Sequence, residues 1–245
     1  WGNARTGSCD VLDSLAGRLQ MLGLFAVEFL ELASLSRSTR TAGGGATGNA
    51  ILTRFPAEAS FRVELPATVD WENGARDPQV RPGLRRQLRR EPRLGSRCGI
   101  GAVLKVGNAR LTVCCLHLED KDGGVAGRWA QFRRAALTLE ACSGGAHAVV
   151  IAGDLNTFDC PLSCFVRPRG GSATLGKPFH VPEAVWWRSV LLPQCGYHDP
   201  FAMNDCTFSV PPVYRAKLDW IAVKRGRILG CGVGTSSLSD HLPIW

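Results

Sequence analysis

The sequence predicts a single α/β domain, a four-layer sandwich in which two packed mixed β-sheets are flanked by helices. Short apolar runs rich in β-branched residues outnumber the stretches with helical spacing, and the two kinds are mixed along the chain. The chain has 245 residues, 45% of them hydrophobic, so it can bury a full core, and two-sheet domains of this length are common. No internal repeat divides the sequence, so we expect one domain over residues 1–245.

Composition excludes several classes of protein. A mean hydropathy of -0.01 argues against a disordered chain and against a membrane protein. No apolar run approaches the roughly 20 residues that a membrane-spanning helix needs. Because the chain begins with Trp1 and not with Met, we interpret it as a fragment clipped at one or both ends, from which a targeting segment can be missing.

The ten cysteines are scattered and show no Cys-x-x-Cys spacing. A chain of this length does not need disulfides to fold, so the pattern favours reduced thiols in an intracellular protein. The alternative is a protein organised by zinc or disulfides, and Cys160 and Cys164 are the pair to consider for it.

The N-terminal part predicts a helix followed by a strand. Asp10 can cap a helix over residues 10–22, whose apolar positions recur at helical spacing, namely Leu12, Leu15, Leu19 and Leu22. After Gly23, an apolar run over residues 24–27 predicts a buried strand that ends at Glu28. Burying an unpaired carboxylate is costly, so Glu28 is either solvated or bound to a cation, with Glu31 as its competitor.

The middle of the chain predicts further strands, a hairpin across Gly107 and Asn108, and a helix. The second hairpin strand ends at His117, which alone is most simply structural. The predicted ranges are strands at 49–55, 61–65, 99–106 and 109–117, and a helix at 128–141.

The most informative stretch is Ala148 to Asn156, a short apolar run that ends in Gly153 and two polar side chains. Such a run predicts a strand buried on both faces. Asp154 and Asn156 lie two positions apart, so in a continuing strand they face the same side of the sheet. The alternative is an Asx turn that merely closes the strand.

The C-terminal part predicts a helix near 182–192 within a long irregular region over 157–216. A strand over 217–223 carries Asp219 in an apolar setting, and a last strand covers 228–233. Asp240 and His241 follow close to the end of the chain.

These polar residues together provide the parts for metal-assisted displacement at phosphorus. Glu28 and Asp240 are hard oxygen ligands of the kind that Mg²⁺ prefers. Asp154 can orient or deprotonate an attacking water, and Asp219 can fix the tautomer of His241. A metal ion and a cationic imidazole would then stabilise the charge on the phosphoryl oxygens.

The positive charge is concentrated in one segment. Residues 81–97 contain seven arginines against Glu91, which accounts for +6 of the net charge of +8. A local basic patch suits nucleic acid, an acidic membrane surface or phosphorylated metabolites. The alternative is a solvated loop without a partner, because prolines and glycines interrupt the segment as in a loop.

Five motifs of the chain, in order, resemble those of the endonuclease/exonuclease/phosphatase superfamily with the DNase I-like fold. They are Gly48–Arg54, His117-Leu118, Gly153-Asp154-Leu155-Asn156, Leu218-Asp219-Trp220-Ile221 and Ser239–Pro243. The resemblance runs from about residue 10 to the end. The Glu28 region and the tract from Trp71 to Arg97 also resemble a plant-type branch of that superfamily.

The resemblance implies a Mg²⁺-dependent phosphoric ester hydrolase, with Mn²⁺ as a possible substitute, and Glu28 and Asp240 at the metal site. It implies that His117 contacts the scissile phosphate, that Asn156 stands beside Asp154, and that Asp219 holds a catalytic His241. Further candidates for substrate binding are Asn49, Arg89 and Arg90.

We expect a phosphodiesterase acting on a phosphate ester, with nucleic acid favoured as the substrate because arginines can follow its backbone and aromatic side chains can stack on its bases. A phosphoinositide or phospholipid phosphoesterase on the same fold is an alternative. A catalytically silent binding module is another, supported by one departure from the family pattern: the Asn of the first strand has no clear counterpart, since Asn3 lies in a stretch without a strand pattern. The sequence leaves the oligomeric state open.

Overall fold

The computed structural model describes residues 7–32, 44–157, 183–202, 205–210 and 214–245. Asn3, Cys160 and Cys164 lie outside these ranges. The cysteines within them are free thiols. None of the described helices is long and apolar enough to cross a membrane.

Five helices and ten strands form the described part of the chain. The helices are α1 (Val11–Leu19), α2 (Pro82–Arg90), α3 (Gly124–Cys142), α4 (Glu183–Trp186) and α5 (Leu192–Gln194), the last two joined by a π-helical turn (Trp187–Leu191). The strands are β1 (Leu22–Glu31), β2 (Ala46–Thr53), β3 (Ala57–Glu64), β4 (Arg93–Gly95), β5 (Cys98–Val106), β6 (Ala109–His117), β7 (Ala148–Asp154), β8 (Phe208–Val210), β9 (Tyr214–Ala216) and β10 (Asp219–Lys224).

Two sheets make up the body of the fold. The first has the order β2-β1-β4, the second has the order β10-β7-β6-β5-β3, and β8 and β9 form a small separate ribbon. The pairing of β6 with β7 is parallel, and the other pairings within the second sheet are antiparallel, so this sheet is mixed. The predicted α/β class of two packed sheets is confirmed.

Three apolar clusters define the layers. Ala26 of the first sheet packs with Cys98 and Ile100 of the second, which places one cluster between the sheets. The largest cluster lies between the second sheet and α3 with the π-helical turn, and the rings of Phe132 and Trp187 meet edge to face at 5.3 Å within it. Leu88 of α2 packs against Phe29 of β1, so helices cover both outer faces.

The N-terminal helix is shorter than predicted. Asp10 caps it as expected, because its carboxylate accepts a hydrogen bond from the Asp13 amide at 3.0 Å. The helix ends at Leu19, because Gln20 adopts a left-handed conformation with φ of 52° and β1 begins at Leu22.

The alternative that the arginine segment is a solvated loop is wrong, because residues 82–90 form α2 and residues 93–95 form β4. Pro82 occupies the first turn of α2, where its missing N–H is not needed. Leu84 and Leu88, one turn apart, both pack on the cluster around Phe29.

The strand predicted over 228–233 is also absent from the structure. Val233 forms only an isolated bridge with Ile244, and Gly232 exchanges two backbone hydrogen bonds with Trp245. Glycines at 230, 232 and 234 weaken a regular strand because they offer no side chain to pack.

At Gly153, the backbone of β7 lies very close to the backbone of β6. Its φ is 138°, and a Cβ at this position would lie 1.9 Å from the carbonyl oxygen of Leu116. We expect Gly153→Ala to lower the free energy of unfolding by more than about 2 kcal/mol, because the backbone must move to relieve the clash.

Gly17→Ala is the matched control, since Gly17 lies inside α1 with no atom near its Cβ position. This change should raise stability by up to about 1 kcal/mol. Urea unfolding measures both effects, provided that the dependence of the unfolding free energy on urea concentration is the same in both variants. Equal urea midpoints for the two variants would refute the argument that β7 approaches β6 too closely for a side chain at residue 153.

Candidate active site

Three neighbouring strands place polar side chains side by side at one edge of the second sheet. Asp219 at the start of β10 is the register partner of Asp154 at the end of β7. Asp154 is in turn the register partner of His117 at the end of β6. The sheet pairing alone therefore forms a row of two carboxylates and one imidazole, which we call the catalytic rim.

The first sheet contributes Glu28 to this rim through a β-bulge. The register of β1 against β2 shifts between Val27 and Phe29, so Glu28 has no partner in the ladder. Its carboxylate is buried and accepts hydrogen bonds from Asn49 Nδ2 at 3.0 Å and from the Cys98 amide at 3.4 Å. These bonds direct Glu28 across the gap between the sheets.

His117 lies between the two acidic groups. Its Nδ1 is 3.9 Å from Glu28 Oε2, and its Nε2 is 3.6 Å from Asp154 Oδ2. Both sheets therefore supply carboxylates to one shared site.

His241 reaches the rim from the C-terminal turn. Its Nδ1 lies 2.8 Å from Asp219 Oδ2, and its amide donates to Ser239 Oγ at 3.1 Å. The ring also contacts Phe208 edge to face, with 4.9 Å between ring centroids.

Thr207 links the strand that carries Asp219 to the turn that carries His241. Its buried hydroxyl accepts hydrogen bonds from the amides of Leu218 at 2.9 Å and Asp219 at 2.8 Å. Its carbonyl oxygen accepts from the Leu242 amide at 2.7 Å. Sequence reasoning missed this residue, since a single Thr outside any motif gives no signal.

Asn156 supports Asp154 directly. It adopts a left-handed conformation with φ of 53°, which Asn tolerates better than most residues. Its amide donates to Asp154 Oδ1 at 2.8 Å, and its side-chain Nδ2 donates to the Leu118 carbonyl at 2.8 Å. One oxygen of Asp154 is thereby fixed, while Oδ2 faces His117.

The environment shifts the pKa values of the rim groups in different directions. Burial and the nearby Asp219 carboxylate raise the pKa of Asp154 to about 6. The hydrogen bond to Asp219 raises the pKa of His241. Desolvation lowers the pKa of His117 well below its usual value, and the positive charges of Arg97, His241 and Arg93 lower it further.

The donor set fits a divalent cation. One ligand atom each from Asp154, Asp219 and His241 lies within 4.8 Å of the others. Glu28 adds a carboxylate oxygen on the other side of His117. Hard oxygen donors dominate this set, which suits Mg²⁺ or Mn²⁺ better than a soft metal.

The structure gives no geometric support for several assigned roles. Asp240 is exposed and lies outside the ligand cluster, and its carboxylate accepts a hydrogen bond from Ser239 Oγ at 3.4 Å. Asn49 is not available for substrate contact, because its Nδ2 is occupied by Glu28 and by the Cys98 carbonyl at 2.8 Å. Arg89 donates to the Ala75 carbonyl away from the rim, and Arg90 is exposed on the same helix.

Arg97 is a rim residue that sequence reasoning did not single out from the basic segment. Its buried guanidinium lies 3.2 Å from Glu28 and 3.4 Å from Glu119. Glu119 also accepts a hydrogen bond from Trp71 Nε1 at 3.1 Å, and its amide donates to Gln131 Oε1 at 2.9 Å. Burial raises the pKa of Glu28, and Arg97 counteracts part of that rise.

The fold and the rim together define a DNase I-like domain of the phosphoester hydrolase class. A model of the Endonuclease/Exonuclease/phosphatase family matches residues 10–241, and the chain belongs to this family. No curated protein matches the sequence significantly.

Solved structures show the same fold at low sequence identity. The human Nocturnin catalytic domain with bound sulfate anion has a TM-score of 0.51 and 16% identity, over 96% of this chain and 74% of that chain. Beta toxin from Staphylococcus aureus has a TM-score of 0.55 and 14% identity, over 95% and 80% of the respective chains. Humanized D. rerio TDP2 has a TM-score of 0.50 and 15% identity, over 95% and 78%.

Replacing Arg97 tests whether its guanidinium compensates the negative charge of the two buried carboxylates. We expect Arg97→Met to lower the free energy of unfolding by about 3 to 5 kcal/mol, because it leaves two buried carboxylates without their cation. Arg110→Met is the control, since the pair between Arg110 and Glu58 is largely exposed, and it should cost less than about 1 kcal/mol. Chemical denaturation measures both variants, and similar losses would contradict the assigned role of Arg97.

Proposed function

We propose that this protein is a Mg²⁺-dependent phosphodiesterase that hydrolyses phosphoric esters by attack of water on phosphorus, with nucleic acid as the favoured substrate. The observation that carries the proposal is the convergence of Glu28, His117, Asp154, Asp219 and His241 at one rim. Family membership supports the same class of reaction.

Asp154 is the residue that orients and deprotonates the water. A raised pKa of about 6 keeps it mostly ionised at neutral pH while making it a stronger base than an ordinary Asp. The Asn156 amide holds Oδ1, so Oδ2 is the oxygen directed to the reaction. As the bond from the water oxygen to phosphorus forms, the ester P–O bond to the leaving alcohol breaks. The proton of the water passes to Asp154 Oδ2, and the leaving oxygen takes up a proton from solvent.

The two histidines have complementary roles. Asp219 favours the cationic form of His241, which can donate a hydrogen bond to the phosphoryl oxygen as negative charge develops there. The lowered pKa of His117 keeps its imidazole neutral, so it contacts the phosphate as a hydrogen-bond donor without a charge. Both rings are partly exposed to the space where a substrate would lie.

Glu28 is the carboxylate proposed to hold Mg²⁺, with Mn²⁺ as a substitute and water molecules as further ligands, while Asp154 acts as the base. Such a cation, when bound, polarises the phosphoryl oxygen and stabilises the charge of the transition state. Arg97 donates to Oε2 of Glu28 and Asn49 donates to Oε1, so the carboxylate is held in a fixed orientation.

A catalytically silent binding module accounts less well for these residues. Burying Glu28 and pairing two carboxylates across β7 and β10 costs free energy that a purely structural site could avoid with apolar side chains.

The proposal is tested by measuring hydrolysis of DNA, RNA, an inositol phosphate and sphingomyelin with Mg²⁺ and with a chelator. We expect turnover of at least one nucleic acid, abolished by the chelator. Asp154→Asn and His241→Gln should each lower the rate by about 10²-fold or more, because they remove a proton acceptor and a stabilising charge.

Glu72→Gln is the control, since Glu72 is exposed and no described hydrogen bond or ion pair joins its side chain to a rim residue, and it should keep the parent rate. If only sphingomyelin or only the inositol phosphate is hydrolysed, the proposal that nucleic acid is the substrate is wrong. Full activity in Asp154→Asn, or turnover that survives the chelator, would refute the proposed mechanism.

A further inference from the structure

We propose that the exposed face of α2 binds the phosphate backbone of a polymeric nucleic acid substrate beyond the ester that is cleaved. This inference rests on the proposed function, since it extends the same site along a longer substrate. It assigns a binding role to a helix that the catalytic rim does not use.

The charge on this helix is uncompensated. Within the described residues, no acidic side chain pairs with any of four arginines of the nine-residue helix α2, namely Arg85, Arg86, Arg89 and Arg90. By contrast, the flanking Arg81 pairs with Asp122, and Arg93 pairs with Glu91 at 2.8 Å. The arginines of α2 are therefore available to an external anion.

The helix retains this charge at a cost to its own stability. Arg85 and Arg89 lie one turn apart, as do Arg86 and Arg90, and like charges at this spacing repel each other. The helix dipole offsets the repulsion only for Arg89 and Arg90, which lie in the last turn. A bound polyanion would relieve the repulsion among all four.

α2 packs on the first sheet, the sheet that also carries Glu28. Leu88 packs on Phe29, which directly follows Glu28 in β1, and β4 after the helix pairs with the same strand. Arg93 lies over the rings of Phe29 and Trp71, at 5.2 Å and 4.7 Å from their centroids. Arg93 and Arg97 are paired with Glu91, Glu28 and Glu119, so the exposed arginines of α2 are the cations in this region that an external polyanion can reach.

The surface chemistry of α2 favours a polymer over a lipid bilayer. Its leucines, Leu84 and Leu88, pack inward, and none of the exposed large hydrophobic side chains in the described ranges lies between residues 82 and 90. A helix that lies in a membrane interface needs an apolar face directed into the lipid. The outward face of α2 offers charge alone.

The test compares two double variants that remove the same charge. Arg86→Gln with Arg90→Gln changes α2 while keeping good helix formers. Arg133→Gln with Arg134→Gln changes two exposed arginines of α3 and serves as the control. Binding of a fluorescein-labelled 30-nucleotide single-stranded DNA, in chelator so that it stays intact, is titrated over a range of salt concentrations.

We expect the α2 variant to bind the DNA about tenfold more weakly at 0.1 M salt. The slope of log affinity against log salt should fall by about 1.4, the value for two lost phosphate contacts on a single strand. The control variant should match the parent. Parental affinity in the α2 variant would overturn the proposal, as would binding of the parent to phosphatidylserine vesicles but not to DNA.

A second measurement separates this inference from the proposed function. Hydrolysis of bis(p-nitrophenyl) phosphate, which has one phosphate and no polymeric backbone for α2 to bind, is followed for the parent and both variants. If the α2 variant loses as much rate on this diester as on DNA, the helix supports the rim itself and the inference fails. If the parent binds DNA through α2 but hydrolyses no diester, the proposed function fails while the binding surface stands.

Discussion

The pairing of β7 with β6 on one side and with β10 on the other is the constraint on which the site depends. This pairing fixes His117, Asp154 and Asp219 in one row, and a shift of any register by one residue would turn a side chain to the opposite face. Gly153 makes the close approach possible, because a side chain there would collide with the backbone of β6. The backbone pairing of the three strands is thus sufficient to place the residues of the second sheet side by side at the catalytic rim.

A second constraint is the compensation of buried charge between the sheets. Glu28 is 4% exposed and would be costly to bury without a cation, and Arg97 supplies one while also pairing with Glu119. Asn49 and the Cys98 amide complete the contacts of Glu28, so the first sheet is tied to the second at the rim. The asymmetric pKa shifts of Asp154 and the two histidines follow from this packing, since burial and neighbouring charges act on each group differently.

Much of the site follows from local sequence, and the missed parts depend on contacts across the chain. The apolar run before Gly153 predicts β7, and the spacing of Asp154 and Asn156 places both at its end. Arg97 carries no such signal, because its partner Glu28 is 69 positions away and it resembles six other arginines in the same segment. The local sequence gives no signal for Thr207 for the same reason. Pro82 indicates a loop by composition but begins a helix, because Leu84 and Leu88 gain a buried surface there.

The central claim is that Glu28 of the first sheet binds the cation at the rim that the polar row of the second sheet completes. Crystals soaked in Mn²⁺ and measured near the manganese absorption edge test it most directly through the anomalous difference map. The account predicts a manganese peak in contact with the carboxylate of Glu28, and loss of that peak in Glu28→Gln. A peak only at other acidic groups, or no peak at the rim at saturating Mn²⁺, would contradict it.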